Sequence, residues 1–263
     1  MKLIARLAVA LVVVALSGLL WAHLGAGNRA RTAAFDSFAS LPGSPPPALA
    51  IGPAEPLSSG RFISRWTIVR VPAAAHTRPT ARSRVIAKLA RQTPEGTPHA
   101  LPVLRSTADT HGRLWVEVRL PVLPNGRVGW VPRQELGGYE TAYTHLVVDR
   151  EQLRAVLYRN GKAVFEAPVG IGTNYWPTPP GEFMIRNELT RYASSFYGPV
   201  AFGTTARSAV LTDWPGGGFI GIHGTNEPQL IPGRISHGCI RLRNPDILRL
   251  AALMPVGTPL TIR

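Results

Sequence analysis

The chain has 263 residues, which is enough for one large domain or two small ones, and its hydrophobic content of 45% supports packed cores. The formal net charge of +14 favours an anionic partner, but the arginines behind it are scattered and no nucleic-acid-binding motif accompanies them, so we expect no nucleic-acid partner. A single cysteine excludes an internal disulfide framework and raises the question of whether that thiol is reactive.

The first 26 residues have the pattern of an export signal or a membrane anchor. Lys2 and Arg6 are followed by an uncharged run from Leu7 to Leu24 that is rich in Leu, Val and Ala. In a helix, such a run spans about 27 Å, close to the thickness of a hydrocarbon core. The sequence predicts that the remainder lies outside the cytoplasm, and it leaves open whether the segment is cleaved.

Residues 27–60 have the composition of a linker. Prolines recur among Ala and Ser from Pro42 to Pro56. Because such a stretch buries little apolar surface and proline stiffens it, we expect an extended spacer.

Residues 61–138 are predicted to form a small β-rich domain. Residues 65–71 have the composition of a strand, and residues 114–120 alternate between apolar and polar side chains with a period of two. Asn125-Gly126 favours a hairpin turn, after which residues 128–132 form the returning strand. The run W-V-x-V followed by G-x-V-G-W-V-P resembles bacterial SH3-like barrels. The resemblance implies peptidoglycan binding or placement of the next domain, unless its two tryptophans, Trp115 and Trp130, are simply core residues.

Residues 140–263 are predicted to form a second, larger β domain. Residues 146–149 read as a strand, and a hairpin is expected at Asn160-Gly161 between residues 152–159 and 162–167. A loop containing T-P-P-G precedes a strand at residues 182–185. Residues 192–200 are either a mobile flap over a cleft or an ordinary surface loop, and residues 219–222 form a short strand that leads to His223.

One helix is predicted after the cysteine. Asn244 suits the N-cap and Pro245 the first helical position. The buried face is marked at helical spacing, the helix ends before Pro255 and Gly257, and residues 260–262 close the domain as a strand. The residues of that buried face are Ile247, Leu250, Ala251 and Met254.

The stretch from 222 to 244 carries the candidate chemistry. It contains Cys239 and two of the seven histidines, His223 and His237. A free thiol is only slightly ionised at neutral pH, so neighbouring His and Arg groups must activate it. Glycines and prolines between His223 and Cys239 allow the chain to fold back, and Gly238 allows the backbone to approach a substrate closely.

Three other interpretations compete with a reactive thiol. Cys239 could be an inert, buried residue beside ordinary polar histidines. A zinc site is disfavoured, because no second cysteine exists and Glu227 and Asp246 have no ligand spacing. A phosphatase loop would need His directly before the cysteine and Arg six positions after it, but the chain has Gly238 and Pro245 there.

The pattern H-G-T followed by S-H-G-C-I-R-L resembles the catalytic signature of the bacterial L,D-transpeptidases over residues 143–263. The resemblance implies that Cys239 is the nucleophile and His223 the general base, oriented by the carbonyl of Gly224. It also implies an oxyanion hole built from the main-chain N–H groups of His237, Gly238 and Cys239. The implied substrate-binding residues are Arg241, Ser236, Gly224 and Thr225.

The implied fold is mostly β, with a small SH3-like barrel followed by a YkuD-type sandwich or barrel containing one or two short helices. The implied reaction transfers a peptidoglycan stem tetrapeptide to an amine in cell-wall crosslinking, with no cofactor, no metal and no protein partner, and with membrane contact through the N-terminal segment. Hydrolysis by an L,D-carboxypeptidase or endopeptidase, or wall binding by an inactive domain, are the alternatives. Only 12 residues separate His223 from Ser236, which is short for the family and bears on substrate preference.

Overall fold

A computed structural model describes residues 54–58, 64–190, 195–212 and 217–263. The predicted export segment, residues 1–26, and most of the predicted linker, residues 27–60, lie outside these ranges, so both stay predictions. The described end of the linker region differs from a free spacer, because Glu55 and Pro56 pair as a strand with Ser106 and Arg105. Within the described ranges, no helix has both the length and the apolar character needed to cross a bilayer.

The first half of the described chain forms an antiparallel sheet of eight strands. Their order across the sheet is β4-β3-β7-β6-β5-β2-β8, and β1 pairs with β5. The strands are β1 (Glu55–Pro56), β2 (Ser64–Ile68), β3 (Ala73–His76), β4 (Val85–Leu89), β5 (Ala100–Ala108), β6 (Leu114–Arg119), β7 (Val128–Pro132) and β8 (Glu140–Ala142).

Both tryptophans of the predicted SH3-like motif lie inside this sheet. Trp115 is fully buried, and its indole N–H donates to Oδ2 of Asp109 over 3.0 Å. Trp130 is 8% exposed. Because neither ring presents an open face, these residues act as core residues, and the assignment as an SH3-like barrel stays a prediction.

The turn predicted at Asn125-Gly126 differs from the structure. Strands β6 and β7 are joined by a longer loop, residues 120–127, closed by the N–H of Leu120 donating to the carbonyl of Arg127 over 2.8 Å. The Asn125 side chain bonds both main-chain groups of Arg207, which belongs to the second sheet. A long-range contact therefore uses the asparagine that the local pattern assigned to a tight turn.

The second sheet has ten strands in the order β11-β10-β9-β18-β13-β14-β15-β17-β12-β16. The pairs β9–β18, β15–β17 and β12–β16 are parallel, and the other pairs are antiparallel. The strands are β9 (Thr144–Asp149), β10 (Arg154–Arg159), β11 (Lys162–Pro168), β12 (Gly170–Gly172), β13 (Gly181–Leu189), β14 (Ala201–Arg207), β15 (Phe219–His223), β16 (Gly233–Ser236), β17 (Ile240–Arg241) and β18 (Pro259–Ile262).

The only α-helix in the described ranges, α1, runs from Asn244 to Ala251. Ile247 and Leu250 are buried in the core of the second sheet, as the helical spacing predicts. The predicted N-cap was wrong by one position: Arg243 is the N-cap, and Asn244 is the first helical residue. The Asn244 side chain instead accepts a hydrogen bond from the N–H of Thr225 over 2.9 Å.

The prediction of a mostly-β fold is confirmed by these two sheets and by the one short α-helix of the described ranges. The chain passes from one sheet to the other between β8 and β9, and β8 pairs with β2 although its residues were assigned to the second domain. The division into domains at residues 61–138 and 140–263 stays a prediction.

Candidate active site

The parallel strands β15 and β17 bring the candidate catalytic residues together. Ile222 lies opposite Ile240, and His223 lies opposite Arg241. The same register places Cys239, directly before β17, beside Gly221. Because side chains alternate along a strand, the sulfur, the His223 imidazole and the Arg241 side chain share one face of the sheet.

Gly221 keeps the space between sulfur and imidazole open. Its N–H donates to Sγ of Cys239 over 3.3 Å. A β-carbon at this position would lie 3.7 Å from Sγ and 3.8 Å from Cδ2 of His223. Both groups therefore border the same small space, and the predicted cysteine and histidine are neighbours in the fold.

The carbonyl of Gly224 fixes the imidazole of His223. Nδ1 lies 2.6 Å from that oxygen. Because a carbonyl can only accept, Nδ1 carries the hydrogen and Nε2 keeps the lone pair that can take a proton. The ring of Tyr197 packs edge-on against the imidazole, with 4.8 Å between ring centroids.

Burial sets the protonation states of both groups. Burial lowers the pKa of His223 from 6.5 to about 4; the bond to Gly224 opposes this shift, and the charge of Arg241 adds to it. Burial also raises the pKa of the Cys239 thiol, against the opposing effects of the Gly221 N–H and the Arg241 charge. At neutral pH, the resting site therefore holds a neutral thiol beside a neutral imidazole.

The turn before the cysteine is held by two hydroxyl groups. Ser236 Oγ accepts the N–H of Gly238 over 3.1 Å and donates to the carbonyl of Cys239 over 2.5 Å. Thr178 Oγ1 donates to the carbonyl of Gly238 over 2.7 Å and accepts the N–H of Gly172 over 2.9 Å. Gly238 has a φ of +114°, a conformation that favours glycine.

Arg241 is a buried cation beside this pair. It is 5% exposed, its Nη1 lies 3.3 Å from Oε2 of Glu227, and its guanidinium lies 4.5 Å from the centre of the Phe196 ring. Among the described residues, nothing accepts a hydrogen bond from its buried Nε. A bound carboxylate would supply that acceptor and a second countercharge.

A largely apolar pocket opens onto the sulfur, the imidazole and Arg241. His237, which is exposed, contributes to its wall, and its ring lies 4.2 Å from that of Trp176. The lining residues are Phe196, Tyr197, Ser208, Leu211, Gly218, Phe219, Ile220, His223, Ser236, His237, Cys239 and Arg241. Phe196 and Tyr197 belong to the predicted flap, of which residues 192–194 lie outside the described ranges, and its mobility stays a prediction.

Two of the predicted substrate-binding residues, Arg241 and Ser236, line this pocket, whereas Gly224 and Thr225 are not among its lining residues. Thr225 is 1% exposed, and its Oγ1 accepts the N–H of Glu227 over 3.0 Å. A β-carbon on Gly224 would collide with Oδ1 of Asn244. Substrate contact by all four residues stays a prediction.

Sequence reasoning missed two residues that position the site. Thr178 belongs to the noted T-P-P-G segment, and Asn244 was assigned to a helix cap. Their bonds to Gly238 and Thr225 link positions 60 and 19 residues apart, which no local pattern reveals. In the described part of the chain, no group of three or more His, Cys, Asp or Glu side chains has the arrangement of a metal site.

Residues 143–262, which carry the second sheet, helix α1 and the site, match the family model for the L,D-transpeptidase catalytic domain, YkuD. Over these residues the chain is similar to the YkuD-type L,D-transpeptidase catalytic domains. The matched segment, called the transpeptidase domain below after the family it resembles, accounts for less than half of the chain, and the family model does not extend to the first sheet.

Curated relatives show the same similarity. The putative L,D-transpeptidase YkuD of Bacillus licheniformis is 37% identical over 106 residues, which are 40% of this chain and 57% of the relative. The Bacillus subtilis protein of that name is 34% identical over 118 residues, or 45% and 65% of the two chains. The chain therefore spans less than two thirds of either relative.

Among solved structures, the NMR structure of the catalytic domain from the E. faecium L,D-transpeptidase is similar to the transpeptidase domain. It is 25% identical, with a TM-score of 0.34, and the match covers 46% of this chain and 96% of that domain.

Proposed function

We propose that this protein is a peptidoglycan L,D-transpeptidase that works through a cysteine acyl-enzyme. The observation that carries the proposal is the placement of Cys239 and His223 on one face of two paired strands, at the base of a pocket in a domain of this family. The imidazole has an oriented Nδ1 and a basic Nε2, which suits a general base.

In the first step, the sulfur attacks the carbonyl between the third and fourth residues of a stem tetrapeptide. The thiol proton passes to Nε2 of His223 as the S–C bond forms. The main-chain N–H groups of His237 and Cys239 stabilise the oxyanion, whereas that of Gly238, the third predicted donor, already donates to Ser236 Oγ. Such a contribution is typically worth about 3 kcal/mol per donor. The C–N bond then breaks, and the terminal D-alanine leaves with the proton from His223.

In the second step, the amine of another stem attacks the thioester. His223 removes a proton from that amine, the S–C bond breaks, and the thiol recovers the proton as the sulfur leaves. Arg241 is a suitable partner for a stem carboxylate, because its guanidinium is buried and its Nε has no acceptor among the described residues.

The proposal extends to the setting of the reaction. The N-terminal pattern and the peptidoglycan substrate together favour a site of action outside the cytoplasm, with residues 1–26 acting as an export signal or anchor. The first sheet, as a separate SH3-like domain, would then hold the transpeptidase domain within the wall.

Intact-mass measurement with a purified stem tetrapeptide tests the proposal. We expect an adduct equal to the tetrapeptide minus D-alanine, and a crosslinked product when an acceptor amine is added. Cys239→Ala should form no adduct, and His223→Gln should acylate about 100-fold or more slowly. Full turnover by Cys239→Ala would refute the mechanism, and release of free tripeptide at the same rate with and without an amine would establish a hydrolase.

A further inference from the structure

The wall of the pocket at Phe219 is held by two arginines. Phe219 begins β15, four residues before His223, and lines the pocket beside Cys239. The guanidinium carbon of Arg186 lies 3.8 Å from the centre of its ring, and that of Arg207 lies 4.7 Å away. These contacts fix the ring because a cation is attracted to an aromatic face.

The first sheet holds the closer arginine. The Arg186 side chain is 1% exposed, and its Nη2 lies 2.6 Å from Oε1 of Glu95, in the loop between β4 and β5. The other carboxylate oxygen lies 3.4 Å from Nδ2 of Asn187. The pairing register of β13 shifts between Ile185 and Asn187, and such an irregularity redirects the intervening side chain.

The first sheet also holds the second arginine, through its backbone. Asn125 Nδ2 donates to the carbonyl of Arg207 over 2.8 Å, and the Arg207 N–H donates to Asn125 Oδ1 over 3.0 Å. Arg207 lies opposite Phe219 in the pairing of β14 with β15. Two separate loops of the first sheet therefore reach the two residues that pack on one wall of the pocket.

We infer that Glu95 is a positioning residue for the active site, because it holds Arg186 against Phe219 and so shapes the apolar wall that receives the donor peptide. This inference rests on the proposed function and adds to it a role for the first sheet. Without the carboxylate, a guanidinium that is almost fully buried loses the negative charge 2.6 Å from its Nη2, and its position over the ring is less well held. Phe219 then loses the closer of the two guanidinium contacts that order its ring.

The variant Glu95→Gln removes the charge and keeps the size of the side chain. We expect the KM for the donor tetrapeptide to rise about tenfold with kcat within about twofold of the wild type, because substrate binding weakens while the sulfur and imidazole stay in place. The pH profile of kcat/KM should not change, and Glu95→Asp should have a KM close to that of the wild type. Glu166→Gln, which breaks the exposed ion pair with Arg154 on the far edge of the second sheet, is the matched control and should behave as the wild type.

A double-mutant cycle tests whether the effect passes through Phe219. In a Phe219→Leu background, Glu95→Gln should raise the KM no further. The inference is overturned if the effects of Glu95→Gln and Phe219→Leu on the KM multiply in the double variant. It is also overturned if Glu95→Gln leaves the KM unchanged or lowers only kcat. Intact mass after thiol labelling gives the fraction of competent sites, since the chain has one cysteine.

A second measurement needs no transpeptidation. The ratio of Cys239 alkylation rates by N-phenylmaleimide and by iodoacetamide reports how well the pocket accepts an aromatic ring. Glu95→Gln should lower that ratio about tenfold if the wall is disordered. If the wild type forms no acyl-enzyme while Glu95→Gln still lowers the ratio, the proposed function fails and the positioning role stands; if the wild type turns over and the ratio is unchanged, the positioning role fails.

Discussion

The protonation states of Cys239 and His223 decide how the thiol becomes a nucleophile. The sequence predicts activation by neighbouring His and Arg groups, and the fold does place both beside the sulfur. Burial nevertheless raises the thiol pKa and lowers that of the imidazole to about 4, so a preformed thiolate–imidazolium pair is disfavoured. In the proposed mechanism, the proton is then transferred during attack, and substrate that fills the pocket assists by orienting the reacting carbonyl.

The pH dependence of alkylation tests this view. With iodoacetamide and no substrate, we expect the Cys239 rate to rise with a midpoint above the ordinary thiol value of about 8.5. Arg241→Gln should shift the midpoint higher, because the Arg241 charge lowers the thiol pKa. A midpoint below pH 7 in the wild type would show that the ion pair already exists at rest.

His223 should also make the stability of the fold depend on pH. Its pKa is about 4 in the fold and about 6.5 when solvated, so between these values the unfolded chain binds the extra proton. The free energy of unfolding should therefore be highest above pH 6.5 and fall by about 3 kcal/mol on acidification to pH 4. Urea titrations at several pH values measure this slope. His223→Gln should remove most of it, and an unchanged slope in that variant would assign the effect to other groups.

At the scale of single elements, the start of helix α1 supports the catalytic strand. Oδ1 of Asn244 accepts the N–H of Thr225, two residues after His223. Asn244→Ala should leave that N–H without a partner, at a cost of about 1 to 2 kcal/mol in the free energy of unfolding. It should also slow acylation, since the Gly224 carbonyl that orients the imidazole would lose its support.

The matched control is Leu248→Ala, on the exposed face of the same helix. Thermal unfolding and acylation rates should separate the two variants. Equal losses in both would show that helix stability, rather than the contact with Thr225, is responsible.

The elements that the sequence predicted well are those whose conformation is set by residues close together in the chain. Asn160 and Gly161 have φ values of 50° and 78°, as the expected tight hairpin requires, and the turn joins β10 to β11. Asn125 and Asn244 were misassigned because each side chain bonds a backbone far along the chain. Strand β14 was not predicted, because its core role depends on neighbours on both sides.

In the candidate site too, residues with a local sequence signal were predicted and residues that act through long-range contacts were not. Cys239 and His223 were found because their residue types and flanking motif are distinctive, and the parallel register then joins them. Phe219 was assigned only to a strand, since an aromatic residue at a strand start gives no sign of lining a pocket. Its importance comes from Arg186 and Arg207, which reach it through pairing and bulges that a sequence does not display.

At the scale of the whole molecule, the two sheets are expected to stabilise each other. Asn125→Ala removes both hydrogen bonds to the Arg207 backbone, and we expect a loss of about 1 to 3 kcal/mol in the free energy of unfolding. Urea unfolding followed by tryptophan fluorescence and by Cys239 accessibility reports on both sheets.

Arg127→Ala, in the same loop but with an exposed side chain, is the control and should change stability by less than about 0.5 kcal/mol. If Asn125→Ala unfolds at the wild-type urea concentration by both probes, the contact contributes nothing to the coupling of the sheets.

Strands β15 and β17 are neighbours in space, yet the connection between them is not what keeps them together. β15 is also bonded to β14, and β17 to β12. The exposed turn Pro228–Leu230 lies midway along the connection. A backbone nicked at Gln229, or lengthened there by a foreign insert, should therefore keep sulfur and imidazole in register. This turn offers an engineer a site at which new sequence can be introduced while the sulfur and imidazole stay assembled.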